Sequence, residues 1–247
     1  MKKLFSLLSF LMVFIVTPMA LADQVMVYRE SGYFSGNGGE FTLAIINNNA
    51  APDLNSNWGH YNLNTRDIGT HNPSFQTFCL EATEYVNVPG GPYAAVLNDR
   101  AIYGGNGPSG GGDPISVGTA YLYHEFQLGT LSGYDYTSPG RNTSAAALQA
   151  MIWWLEGEAA DPGISNPFRN LVALLDDPQT PQNEAEMDNL GKYPVMVLNL
   201  WDPGYIGVIG HHHQDQLVSS APEPASMLLL GSGLIGLAGF VRRKFRK

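Results

Sequence analysis

Apolar and polar positions alternate with a period of two in short runs early in the chain and again near its end. Between those runs the spacing changes to three and four. Val25 to Glu30 and Phe41 to Ile46 predict strands, separated by a Gly-Asn-Gly-Gly turn. Phe75 to Glu81 (Phe-Gln-Thr-Phe-Cys-Leu-Glu) alternates as a half-buried strand with Phe75, Thr77 and Cys79 on one face. Glu84 to Val88 is its expected hairpin partner, and Asn47 to Asn72 is a polar, aromatic-studded loop. Tyr193 to Leu200 and Gln214 to Val218 predict closing strands.

Three helices are expected between them. Asp113 caps and Pro114 opens the first, which runs to about Leu128. The second starts near Thr143 or Ser144 and ends near Gly157, with Leu148, Met151, Ile152 and Leu155 as its apolar stripe. The third runs from Pro167, capped by Asn166, to Asp176. The expected fold class is α+β, a β-rich body with an inserted bundle of about three helices.

Both ends carry a different pattern. Lys2 and Lys3 precede an apolar run from Leu4 to Val16, and Ala20-Leu21-Ala22 offers a small-residue cleavage site before Asp23. Residues 1–22 are therefore expected to be a signal peptide, cut by signal peptidase after Ala20 and Ala22 have been recognised. At the other end, Pro222-Glu223-Pro224 precedes Ala225 to Val241, seventeen residues without a charge. At 1.5 Å per residue a helix there spans roughly 26 Å, enough to cross a bilayer core. Arg242, Arg243, Lys244, Arg246 and Lys247 follow, and such a cluster belongs on the cytoplasmic side. Signal peptide and C-terminal transmembrane segment thus flank a passenger at 23–221, with 222–247 as a separate sorting signal.

That C-terminal arrangement resembles the PEP-CTERM sorting domain. The resemblance implies a Gram-negative host that makes exopolysaccharide. It also implies an exosortase, a membrane protease that recognises Pro222-Glu223-Pro224 and releases or transfers the passenger. The chain would be anchored in the inner membrane for a time, then reach the cell surface or the extracellular space.

Charge narrows the choice of partner. Of 13 basic residues, two lie in the leader and five in the tail, whereas of 22 acidic residues only Glu223 lies outside the passenger. The passenger's net charge of −15 excludes nucleic acid as a natural partner, since phosphate contacts need clustered Lys and Arg. Charged residues are only 14% of the chain, while 28 Gly and 16 Pro point to a loop-rich secreted domain.

The chain has one cysteine, Cys79, so no intrachain disulfide can form. A free Cys is commonly a small buried hydrophobe. Gln149, in Ala-Ala-Leu-Gln-Ala-Met-Ile-Trp-Trp, sits one position off the apolar stripe, with Ala145 a turn before and Trp153 a turn after. Its carboxamide should face Ala and indole surface. A sulfur reaching that carbon can displace ammonia and close a thioester, provided aromatic side chains keep water away; Phe78, Trp153 and Trp154 are the candidate wall.

The Phe-Cys and Gln-Ala-Met-Ile-Trp pair resembles the thioester domains of bacterial surface adhesins. There a Cys and a Gln form an internal crosslink that captures amines on a host or matrix target. Leu148 and Met151 stand where that family usually has Thr and Ala. By this resemblance Cys79 and Gln149 are the thioester pair.

Other candidates are weaker. His211-His212-His213 could bind a metal, but neighbouring strand residues point to opposite faces, which favours a solvated turn leading into the last strand. Glu156, Glu158 and Asp161 look like a helix exit, Asn142-Thr143-Ser144 like a helix start, and the Gly104 to Gly112 loop lacks the Lys-Ser/Thr of a phosphate loop. No catalytic residue, cofactor site or metal site is assigned, and no enzymatic activity is expected. The expected function is an exosortase-sorted surface or matrix protein that uses the Cys79–Gln149 bond for adhesion to an amine-bearing target. The rivals are a structural exopolysaccharide or biofilm matrix protein without a reactive bond, and a secreted carbohydrate-binding or carbohydrate-active protein.

Overall fold

The computed structural model describes residues 23–36, 38–46, 74–102, 112–176 and 183–219. The leader with Ala20 and Ala22, the whole Asn47 to Asn72 loop, the Gly104 to Gly112 loop short of Gly112 itself, and the sorting signal with Pro222, Glu223 and Pro224 lie outside the described residues. Six strands form one antiparallel sheet: β1 (Asp23–Tyr28), β2 (Phe41–Ile46), β3 (Ser74–Thr77), β4 (Gly90–Asn98), β7 (Val195–Trp201) and β8 (His212–Ser219). Their order across the sheet is β3-β2-β1-β4-β7-β8. Two short strands, β5 (Arg100–Ala101) and β6 (Asp113–Pro114), pair beside it.

The sheet curls until its two edges meet. Beyond β3 the chain stays extended, and Leu217 N–H donates to Phe78 O while Leu80 N–H donates to Asp215 O, both at 3.1 Å. Cys79 and Gln216 face each other between those bonds. This removes the edge of an open sheet over that stretch. Nearer β3 the seam is filled from a helix: the Tyr123 hydroxyl lies 2.9 Å from Gln76 O and 3.0 Å from Leu217 O.

Alternation along the strands then divides the core in two. One set of side chains, among them Val25, Val27, Leu43, Phe75, Cys79 and Leu198, fills the inside of the curl. The opposite set, including Phe78, Leu80, Val197 and Leu217, packs outward against the helices. These are α1 (Val117–Leu128), α2 (Arg141–Leu155) and α3 (Arg169–Ala173). The β-rich body with about three helices is thus observed.

Local differences from the sequence reading have local causes. Asp113 and Pro114 are taken into β6, and α1 starts later because the Ser116 hydroxyl accepts from Thr119 N–H at 3.1 Å. The expected hairpin partner, Glu84 to Val88, forms no strand, since the segment after β3 bonds β8 on one side and Gln149 on the other. The third helix is only five residues long.

Candidate functional site

The site lies where α2 meets the rim of the curled sheet. In the β2–β3 register Phe41 faces Thr77, so two residues further on Gly39 would face Cys79. The Gln149 carboxamide stands between them. Its Oε1 accepts from Gly39 N–H at 2.9 Å and from Cys79 N–H at 3.1 Å, and its Nε2 donates to Cys79 O at 2.8 Å. A side-chain amide from a helix therefore completes the ladder in place of a strand, and Gln149 is only 2% exposed.

Close approach explains the two glycines. A Cβ on Gly38 would collide with Gln149 Cγ and crowd the Trp153 ring, and one on Gly39 would collide with the Phe78 ring. The Gly-Asn-Gly-Gly stretch thus does more than turn the chain. Its compositional signal was visible, but its partner, 110 residues away, was not.

Cys79 is fully buried, with Gln216 Nε2 3.5 Å from its sulfur. Burial pushes the thiol well above the ordinary range, with the Gln216 hydrogen bond opposing. Two N–H donors on Gln149 Oε1 act in the opposite sense on its neighbour: they draw electron density from Cδ, as an oxyanion hole does.

An open cleft of 540 Å³ ends on this carboxamide, with Gln149, Trp153, Phe41, Tyr85, Glu84 and Arg29 among its walls. Phe78 packs against Gly39, edge-on to Phe126 at 5.1 Å between ring centres. Trp154 stands elsewhere: Arg169 lies over its ring at 4.2 Å, and it lines a separate cavity beside Ser116 and Glu156. Of the three expected shielding residues, Trp153 lines the cleft with Gln149, while Phe78 packs against Gly39.

A buried ion pair joins the same parts. Arg141, at the start of α2, donates through Nε to Glu40 Oε2 at 2.9 Å, and Tyr134 donates its hydroxyl to the same oxygen at 2.7 Å. Glu40 follows Gly39 directly and is fully buried. Burial pushes its carboxyl up while Arg141 and Tyr134 pull it down. The helix bearing Gln149 is thereby clamped to the segment that donates to it.

The histidine triplet is not the solvated turn expected: His212 and His213 begin β8, and the side chains divide as strand alternation requires. His211 Nδ1 and His213 Nε2 each lie 2.8 Å from the Asp202 carboxylate, while His212 turns inward to Asp215 and Glu84.

Comparison with known families bears on the far end of the chain. Residues 220–244 match the PEP-CTERM protein-sorting motif. The match supports an exported substrate of an exosortase, sorted through the membrane to the cell surface. It covers the sorting signal and leaves the passenger unassigned. No curated protein and no solved structure matches the chain.

Proposed function

We propose that the passenger closes a thioester between Cys79 and Gln149 and uses it once, as a surface or matrix protein, to attach covalently to an amine-bearing target. The observation that supports this reading best is the placement of the Gln149 carboxamide in the ladder beside Cys79, with two N–H groups on its oxygen. In closure the Cys79 sulfur bonds to Gln149 Cδ, the Cδ–Nε2 bond breaks, and the thiol proton leaves on ammonia. In capture an amine nitrogen bonds to Cδ, the Cδ–S bond breaks, and the sulfur regains a proton. The Gly39 and Cys79 N–H groups stabilise the oxyanion of both steps. The high position of the thiol makes it a poor leaving group until an amine supplies that proton, which suits a bond that must wait.

The cleft is the route by which the amine arrives, with Trp153 and Phe78 limiting water. No turnover follows, so the protein is a reagent and not an enzyme. The test is the intact mass of freshly exported protein. It should fall one ammonia short of the processed sequence, with Cys79 resistant to alkylation after unfolding. Methylamine should add its mass at Gln149 and free the thiol. Full sequence mass together with complete Cys79 labelling would overturn the proposal and favour a structural matrix protein without a reactive bond.

A further inference from the structure

We propose that Glu84, His212 and Asp215, backed by Glu81, form a binding site for a divalent transition-metal ion of the zinc or manganese class. The proposal is independent of any Cys79–Gln149 bond.

The geometry is that of a histidine ligand held from behind. His212 Nε2 lies 2.8 Å from Asp215 Oδ1, and Asp215 is itself fixed by Asn199 Nδ2 at 2.9 Å and Ile102 N–H at 2.8 Å. A carboxylate on one ring nitrogen sets the tautomer and presents the other nitrogen as a ligand. That nitrogen, Nδ1, faces Glu84 Oε1 at 3.2 Å. Ligand atoms each about 2.0–2.2 Å from a tetrahedral ion stand about 3.3–3.5 Å apart, so an ion fits between them with little movement. Ligand atoms of Glu84, His212 and Asp215 all lie within 4.8 Å of one another.

A second observation points to a missing ligand. Glu81 is 3% exposed, and its Oε2 has no hydrogen-bond partner among the described residues. Burial raises its carboxyl, and among charged neighbours Asp215 and Glu84 add most to that. Glu84 Oε2 is likewise buried and unpartnered among the described residues. His212 lies between two carboxylates here, and the Oε2 atoms of Glu81 and Glu84 have no hydrogen-bond partner among the described residues. A divalent ion between His212 Nδ1 and Glu84 would bring positive charge to this acidic pocket.

Imidazole with carboxylate donors suits zinc or manganese better than calcium or magnesium, which prefer oxygen alone. Glu84 lines the cleft, which gives the ion an entry path and room for water ligands. A bound ion would also tie the segment after Cys79 to β8, stiffening the cleft wall.

The experiment uses the full chain, stripped with chelator and titrated by calorimetry with Zn²⁺, Mn²⁺ and Ca²⁺. One equivalent of Zn²⁺ or Mn²⁺ should bind more tightly than Ca²⁺. Glu84→Gln and His212→Gln should each weaken binding by at least about tenfold. The double variant His211→Gln/His213→Gln should bind as the parent does, which separates this site from the outer pair on Asp202. Absence of uptake, uptake lost with the outer pair, or uptake unchanged in Glu84→Gln would overturn the proposal and leave an imidazolium bridging two carboxylates. If a variant does not fold, pulsed EPR of Mn²⁺ on the parent chain decides. One coupled imidazole nitrogen is expected; none, or two, would refute the site.

Discussion

Gln149 hydrogen-bonds both main-chain polar groups of Cys79, accepting from its N–H and donating to its carbonyl, across 70 residues of sequence. A glutamine on a helix has no reason of its own to enter a sheet. It does so here because the ladder is left open between Gly39 and Cys79, and an amide offers the donor and acceptor that two unpaired backbone groups require.

Position 38 of that arrangement has no room for a side chain. Gly38→Ala should displace the Gln149 side chain, because the added methyl meets its Cγ within hard contact. A stability loss of roughly 1–3 kcal/mol is expected from such overpacking. Urea unfolding measures that loss. If the proposed thioester forms in the parent, alkylation of the unfolded variant reports whether it still closes; full labelling of Cys79 is expected in the variant.

Arg141→Met should be more damaging, because it leaves the fully buried Glu40 without its cation. Removing one partner of a buried pair costs about 3–5 kcal/mol. Changing Glu40→Gln in the same chain should recover a large part of the loss, since Tyr134 can still donate to the amide oxygen. A double-mutant cycle by urea unfolding checks this; equal losses in the single and double variants would contradict it.

How much of this was legible in the sequence follows from range. The bounds of β2 agree with its alternation, whereas the histidines, expected as a solvated turn, begin β8 and send His212 inward. Gln149's burial was expected from its helical neighbours. β4 was not legible, because Gly90, Gly91 and Pro92 open it and look like a turn. The closure of the sheet was hidden too: it depends on Cys79 meeting Gln216, 137 residues apart, and no local pattern encodes such pairing. The same holds for Glu40 and Arg141, each unremarkable in its own segment.

The sorting motif carries its own test. Replacing Glu223 with Gln removes the charge from the Pro-Glu-Pro signal within the matched residues. Export should continue, while the protein accumulates in the membrane fraction. Immunoblots of membrane and extracellular fractions would show the shift, and unchanged release would count against exosortase processing.

The last prediction concerns pH. Glu156 accepts from the Ser116 hydroxyl at 2.8 Å and from Ser116 N–H at 3.2 Å, at the point where α2 ends and α1 begins. Burial pushes its carboxyl from an ordinary 4.5 up to about 7. Below pH 4.5 both folded and unfolded chains keep the proton. Between pH 4.5 and 7 the unfolded chain releases it and the folded chain does not, so stability falls as pH rises through this window. The ceiling on the loss is about 3 kcal/mol, and the residue's partial exposure reduces it. Glu156→Gln keeps an acceptor for Ser116 and removes the titration. The variant should therefore gain on the parent as pH rises from below 4.5 to above 7, with urea midpoints read at several pH values. Glu84 titrates alike in both chains and cancels, while Glu81, raised in part by the Glu156 charge, loses that push in the variant, which adds to the gain in the same direction. A difference that stays flat across the window would mean that Glu156 is ionised in the folded protein, its charge held by Ser116 at the foot of α1.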